Sequence, residues 1–595
     1  MIRELSELGK LLRNKNAGKQ QVHNAVKPEK VSIDLVIKKD GSFCKYIPVD
    51  RKSTIAEAIT AKKGKARLLL DKAEEILCYG GDKAAKKKHQ LFLAKLSQYK
   101  EVDEIKPVLE FYERNKINGV DRALGEFEKT FPDKNNRKGN IAFRIINEDI
   151  RVHEKQNVLE KIIEIYETGE KSKLQKAKKL CSICGKADYP VEDVPHGMIK
   201  KVPVGQSSGS ALVSYNDSAF ESYDLVGNQN SSICTNCART YVEGLNWLLT
   251  SGNEISEIDK KGKEKKRFKY TNRKNFGSDT AMIFWTRTNE NVPEIDLLEA
   301  PNPEEVGRLI DSIASGSEKE SKYLEDEQFY SCTLSGAAAR ISVRDWLETS
   351  LAGFRKSISQ WFQDIAICAY NSDLKKMETH YSRLYELARS CQNPKENKDV
   401  SISRVSAYLW AAALKSTSPP LWILTKVLNR ARLDEYGITS ERAALIKLIL
   451  NRQNKGGVYM IKERLDEGER PVAYVCGQIF SKLESIQHAA LGDRNAGIRE
   501  RYFTYAMTLP ASAFGRLFNL NSKHFTKLKN EKPGLAINLD KELQDLCKKE
   551  NIDINKFPAT FSLEEQGQFA IGYYQQRQEQ FARSGGKEKT EEASK

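Results

Sequence analysis

Four cysteines stand in two matching pairs, Cys181-x-x-Cys184 and Cys234-x-x-Cys237. A Cys-x-x-Cys turn lets two thiolates converge on one ion, and two such turns complete a tetrahedral structural zinc site with no position left open for catalysis. The 49 residues between the pairs exceed the roughly 15–20 of a compact two-knuckle module, which leaves room for an inserted subdomain. The competing reading is four ordinary buried thiols. His196 lies between the pairs as a fifth candidate ligand, although a lone loop histidine is commonly just solvated. The chain holds eleven cysteines and begins without the apolar core of a secretory signal. The expectation is a reducing cytoplasm, where paired cysteines bind metal more often than they form disulfides.

The second chemistry is cationic. The formal net charge is +16, and residues 1–100 carry 23 Lys and Arg against 11 Asp and Glu. A surplus so concentrated calls for an acidic partner, and nucleic acid is the usual one. Candidate phosphate contacts in this lobe are Lys62, Lys63, Lys65 and Arg67, then Lys72, then Lys86, Lys87 and Lys88. Further candidates are Lys260 and Lys261 in a basic run over 259–274, and Arg499, Lys523, Lys527 and Lys529 near the end. Such residues supply affinity without sequence information; the alternative for each cluster is a solvated helix face. Arg340 and Arg344 follow three alanines and are expected on one face of a helix, where they either approach a phosphate or pair with Asp345, Glu348 or Asp364. The seven histidines are scattered, and there is no phosphate-cradling glycine loop or nucleophile elbow. The weight therefore falls on binding, with no catalytic residues assigned.

These groups need elements to hold them. Val31, Ile33, Leu35 and Ile37 alternate up to Asp40-Gly41, with Cys44 and Tyr46 beyond, which predicts a β-hairpin. Residues 52–115 read as mostly helical and strongly basic. Val158, Leu159, Ile162, Ile163 and Tyr166 fall at helical spacing. Val204–Gly227 is Gly/Ser-rich and β-like, the run 259–274 is too charged for a core and predicts a mobile loop, and Ala281–Trp285 predicts a short strand. Beyond Trp346 helical periods dominate, as in Val475, Ile479, Leu483 and Ile486. The most apolar region, Ala407–Leu428, is cut by Lys415, Pro419, Pro420 and Lys426, and no stretch suits a membrane. The expected fold is α+β: a mixed N-terminal part with an inserted zinc-ribbon-like element and an all-helical C-terminal bundle. The expected divisions are a basic lobe over 1–150, a zinc-ribbon-containing α+β domain over 151–345, a helical domain over 346–470, a bundle over 471–582, and a disordered tail over 583–595.

Several segments resemble one family. Gly205-Gln-Ser-Ser-Gly-Ser-Ala-Leu-Val-Ser-Tyr-Asn216-Asp-Ser-Ala-Phe-Glu-Ser-Tyr223, Gly277-Ser-Asp-Thr-Ala-Met-Ile-Phe-Trp285 and Leu334–Trp346 are similar, in order, to signatures of the large subunit of the type I-C CRISPR Cascade. Asn495–Phe503 and Glu565-Gln-Gly-Gln-Phe-Ala-Ile-Gly-Tyr-Tyr574 resemble its terminal helices. Leu68–Gly80 matches less closely, since Lys72 stands where the family usually has Asn.

The resemblance implies a non-catalytic subunit of an RNA-guided surveillance complex. The guide RNA reads the target by base pairing, while the protein reads a short flanking motif (the PAM) in duplex DNA and promotes R-loop formation. Implied partners are CRISPR RNA, target double-stranded DNA, the Cascade backbone subunits, the crRNA-processing subunit, small subunits that the C-terminal bundle resembles, and a helicase-nuclease recruited transiently. Two alternatives compete: a zinc-ribbon nuclease, and a stand-alone zinc-stabilised RNA-binding protein.

Overall fold

Asp40-Gly41 closes the expected hairpin. Strand β1 (Val26–Ile37) runs antiparallel to β2 (Phe43–Glu57). Gly41 takes φ +82°, its N–H donates to Lys38 O at 3.0 Å, and Asp40 Oδ1 accepts from Ser42 N at 2.9 Å. That side-chain-to-backbone bond is what makes Asp a turn residue. The computed structural model describes the chain apart from residues 17–22, 24, 60–65, 174–178, 190–195, 259–263, 316–324, 394–397, 435–436, 455–456, 458, 469, 493–496, 550–556 and 593–595. It forms two units, Met1–Ile199 with Ala211–Trp247, and Lys200–Ser210 with Leu248–Lys595.

In the first unit β3 (Leu70–Asp71) and β4 (Ile141–Ile145) complete a four-stranded sheet of order β2-β1-β4-β3, parallel between β1 and β4. The helices are α1 (Ile2–Asn16), α2 (Ala73–Leu77), α3 (Lys83–Ser97), α4 (Lys106–Tyr112), α5 (Arg122–Thr130), α6 (Gln156–Lys173) and α7 (Thr235–Thr250). The stripe read at 158–166 lies on α6, with Val158 and Ile162 buried in a core that includes Leu35, Phe92, Phe111, Phe127 and Phe143.

A polar cluster is buried beside this sheet. Arg151 Nε donates to Asp34 Oδ1 at 2.6 Å, and His153 Nε2 lies 2.9 Å from Thr54 Oγ1. Burial pushes the His153 imidazole down to about 4 from an ordinary 6.5. The folded chain thus refuses a proton that the unfolded chain accepts between those values. Stability is complete above about pH 6.5 and falls as pH drops toward 4, by roughly 2 kcal/mol at pH 5 from this one group. Melting curves at pH 7 and pH 5 should show a larger acid loss in the wild type than in His153→Gln. Equal losses would assign the acid sensitivity to other groups.

The second unit opens with a two-stranded ribbon, β5 (Gly252–Ile258) and β6 (Glu264–Tyr270). Strands β7 (Arg273–Phe276), β8 (Thr280–Thr286), β9 (Gln328–Ala337) and β10 (Arg340–Ser350) form an antiparallel sheet of order β10-β9-β8-β7, and β11 (Ile367–Asn371) pairs with β12 (Lys376–His380). The expected strand at 281–285 is the centre of β8, buried along its whole length. Helices α8 (Glu294–Leu297), α9 (Pro303–Ser315), α10 (Leu351–Ile365) and α11 (Leu384–Ser390) lead into α12 (Lys398–Lys415), α13 (Leu421–Leu433), α14 (Ser440–Gln453), α15 (Val472–Leu491), α16 (Ile498–Thr508), α17 (Pro510–Glu531), α18 (Pro533–Lys549) and α19 (Leu563–Glu592). The architecture is α+β with a helical C-terminal region.

One continuous core runs from Phe276 to Tyr574, so the expected boundaries at 345 and 470 both fall inside it. Helix α19 extends through Glu592, past residue 582. The stripe Val475, Ile479, Leu483 and Ile486 is buried on α15. Helices α15 and α19 touch backbone to backbone: a Cβ on Gly477 would lie 2.0 Å from Phe569 O, and one on Gly572 would lie 2.0 Å from Tyr474 O.

Three local expectations need correction. Val204–Gly227 forms turns and a short 3-10 segment at Ser218–Phe220, with no ladder strand. The described part of the basic run, 264–274, is no loop: it forms β6 and begins β7. Lys266, Arg267 and Lys269 are exposed on this ribbon, so their charge does not oppose pairing. Arg273 is in fact buried and Lys274 half-buried, Arg273 Nη1 donating to Lys201 O at 2.7 Å and Lys274 Nζ meeting Asp296 at 2.8 Å and Glu299 at 3.0 Å. Arg340 and Arg344 lie on a strand rather than a helix. Ala338 takes φ +53° and closes a tight hairpin, and Ile341, Val343 and Trp346 suit the pleat.

Candidate metal centre and nucleic-acid interface

Each cysteine pair is positioned by a different local structure. Cys181 opens a turn through Cys184 that ends on Gly185 at φ +71°, a left-handed position that costs glycine little. Gly185 N donates to Cys181 O at 2.9 Å, and Cys181 N donates to Lys186 O at 2.9 Å. Cys234 directly precedes α7, and Cys237 sits in its first turn. Ser182 N donates to Ser232 O at 2.7 Å and joins the two turns.

The four sulfurs lie within 4.8 Å of one another, and Cys184 Sγ is 3.7 Å from Cys234 Sγ. A zinc ion at about 2.3 Å from each sulfur would set them roughly 3.8 Å apart. Three of the four are buried and Cys184 is exposed. Hydrogen bonding from Cys237 pulls the Cys234 thiol down to about 5, while its bond to Cys234, with burial, pushes Cys237 up. Thiolate character at a helix N-terminus is what a cation binds. The set can therefore hold a metal ion. His196 is not part of it and is not solvated: it is buried, with Nδ1 2.9 Å from Tyr241 Oη and Nε2 3.2 Å from Ser231 Oγ.

Helix α1 braces α7. A Cβ on Gly9 would lie 2.0 Å from Thr240 O, Ser6 Oγ is 2.7 Å from Thr240 Oγ1, and Arg13 reaches both Glu243 oxygens at 2.5 and 2.7 Å. Ser6 also hydrogen-bonds the Cys237 thiol. Nothing in the spacing of α1 marks it as a partner of cysteines more than 170 residues away, beyond Gly9 within a helical period.

The predicted cations fare unequally. Lys62, Lys63, Lys65, Lys260 and Lys261 lie outside the described residues. Arg67 is largely buried and pairs with Glu29 at 3.0 Å, and Lys88 pairs with Glu74, so these two charges are spent within the fold. Lys86 and Lys87 are exposed on α3. Arg344 is exposed at a register shift in β10 and donates to Ser335 Oγ at 3.3 Å; Asp345 pairs with Lys415, and Asp364 with Arg452 at 2.6 Å. Arg340 is half-buried on the same strand. Arg499 is half-buried with its guanidinium against Gly437, where a Cβ would stand 2.5 Å from Nη2. Lys523, Lys527 and Lys529 are exposed on α17, Lys527 within 3.7 Å of Glu531.

Lys72 joins a feature that sequence reasoning missed. It lines a cleft of 720 Å³ together with Lys30 and Ser32 of β1 and with Lys134, Arg137 and Lys138 of the segment entering β4. Arg137 is bound to Glu128 at 2.8 Å and to Phe131 O at 2.6 Å, and so shapes the wall. The side chains of Lys30, Lys72 and Lys134 are exposed, and among the described residues none pairs with a carboxylate. The run Lys134-Asn-Asn-Arg137-Lys138-Gly139 was the available signal, with its cations clustered in a polar turn.

A family model described as CRISPR-associated protein (Cas_Csd1) matches residues 10–581. The chain belongs to this family. No curated protein matches it significantly. The Csd1 match takes in the four cysteines, the cation-lined cleft and the helices as far as the middle of α19, and a CRISPR-associated protein has its role in a CRISPR complex. Among the described residues no helix is long and apolar enough to cross a membrane.

Proposed function

We propose that this Csd1-family chain is the non-catalytic large subunit of a type I-C Cascade, reading the PAM in duplex target DNA, promoting R-loop formation and recruiting a helicase-nuclease. The observation that carries this reading is the cleft at Lys30, Lys72 and Lys134. Lys30, Lys72 and Lys134, none paired with a carboxylate among the described residues, line one concavity on the sheet together with Glu74, whose carboxylate is taken up by Lys88. Such lysines neutralise backbone phosphates and fix the register of a duplex, leaving sequence to base-edge contacts. In the helical region Lys523, Lys527 and Lys529 would track an opened strand by charge alone. The four cysteines hold a structural zinc, since a closed all-sulfur set suits zinc and leaves no coordination site for water.

Replacing Lys30, Lys72 and Lys134 with alanine should weaken binding of a PAM-containing duplex on every sequence. The slope of log K against log salt should fall by about 0.9 for each phosphate that is no longer neutralised. An unchanged slope would show that these lysines only solvate a surface. Incubating the purified chain with labelled nucleic acid and Mg²⁺ tests the nuclease alternative, which requires cleavage.

A further inference from the structure

Tyr223 is held in solvent by a turn that its own backbone disfavours. Ser222–Leu225 is a tight reversal in which Leu225 N donates to Ser222 O at 3.0 Å. The two residues at its tip, Tyr223 and Asp224, both take left-handed backbone, with φ +53° and +58°. Such a tip is ordinarily built from Asn-Gly, because a left-handed residue brings its Cβ against the following carbonyl oxygen. A bulky aromatic residue there is an outlier, and it persists only where the surroundings over-determine it.

Asn230 supplies that restraint. Its Oδ1 accepts from Ser222 N at 3.2 Å, and its Nδ2 donates to Leu225 O at 2.6 Å and to Gly227 O at 3.1 Å, so one amide clamps both ends of the turn. Glu221 Oε1 accepts from Gly227 N at 3.0 Å, and Gln229 Oε1 accepts from Val226 N at 3.1 Å. None of these bonds involves the Tyr223 side chain. It is 96% exposed, more than any other large apolar side chain among the described residues. Phe220 and Val226, three residues to either side, are exposed as well. A pinned turn that carries a bare aromatic ring offers a partner contact area at little cost in conformational entropy.

The charge selects the partner. From Ala211 to Ala238 there is no Lys or Arg, while Asp217, Glu221 and Asp224 lie on the turn or beside it, in a chain whose formal net charge is +16. Phosphates are repelled by such a tip, and a basic protein surface is attracted. We propose that the Ser222–Leu225 turn is a protein-docking point within the CRISPR complex. Tyr223 enters an apolar pocket on another protein, and Asp224 meets a lysine or arginine at the rim of that pocket. The docking point uses none of the cleft residues, so a failure of duplex reading would leave it standing.

The test uses the full chain co-expressed with a guide RNA and the other proteins of its CRISPR locus. With p-benzoylphenylalanine in place of Tyr223, ultraviolet irradiation should join the chain to one partner protein, at apolar residues flanked by Lys or Arg. That partner is then titrated against the chain. Tyr223→Gly suits the left-handed backbone and should melt at or above the wild-type temperature, yet bind the partner roughly ten-fold or more weakly. Asp224→Asn keeps a residue that tolerates left-handed backbone and should also weaken binding, more so at low salt. Cross-links to RNA or DNA alone, or to no other protein with target DNA present or absent, overturn the docking point. Wild-type affinity in Tyr223→Gly does the same. Tighter binding by Asp224→Asn overturns the basic rim and the proposal with it.

Discussion

Cys181→Ser with Cys184→Ser should abolish metal binding and cost the first unit several kcal/mol. Structural zinc contributes about 10–16 kcal/mol of apparent binding energy in small zinc-dependent domains. Here the unit has its own core, so the damage should concentrate where the metal joins otherwise weak structure: the Cys181–Gly185 turn, the start of α7 and the docking of α1. Elemental analysis should give one zinc per chain in the wild type and none in the variant. Limited proteolysis should open the segment around 181–240 while the sheet survives. Wild-type protein purified without chelator and found free of zinc would dispose of the zinc assignment.

Arg151→Ala should be nearly as damaging, although it lies far from any cysteine in sequence. Asp34 is 4% and Arg151 8% exposed, and Arg144 stands 3.8 Å away on the other side of Asp34. Removing Arg151 leaves the buried Asp34 carboxylate with only the longer Arg144 contact, at a cost that approaches the roughly 3–5 kcal/mol of a broken buried pair. The paired change Asp34→Leu, Arg151→Met should recover most of that loss, because it removes both charges at similar volume. Urea melts of the single and paired variants separate the outcomes. If Arg151→Ala costs no more than an exposed ion pair, the burial argument fails. The pair ties β1 to the segment after β4, and the cleft residues Lys30 and Lys134 flank those same strands, so the single variant should also weaken duplex binding.

Where local chemistry decides structure, the residues announced it. Asp40-Gly41 specified its own turn, the unbroken apolar run at 281–285 had to be a buried strand, and the cysteine spacing forecast four converging sulfurs. The failures share a cause: they depend on which distant residue comes to lie alongside. Arg67 reads as a free cation until Glu29 is seen beside it. Nothing in the local sequence marks Lys447 as a core cation, yet it is buried, donates to Gln363 O at 3.0 Å and Asp364 O at 2.8 Å, and is pushed down to about 8 by desolvation. Ala337-Ala338-Ala339 favours a helix by propensity, but the pairing of β9 with β10 overrides it and turns the chain there. The cleft draws on residues 30, 72 and 134, and only Lys72 stood out, because the sheet order that gathers them is set by non-local hydrogen bonds.

The backbone contact of α15 with α19 also sets a schedule for synthesis. Gly477 and Gly572 are separated by 95 residues, which a ribosome adds in roughly 5–20 s. Through that interval Val475, Ile479, Phe480 and Leu483 have emerged without the helix that packs against them. The wait cannot be shortened by faster folding, since the missing partner has not yet been made. The nascent chain therefore carries an exposed apolar stripe until α19 leaves the exit tunnel, and dependence on a chaperone should be greatest in that interval.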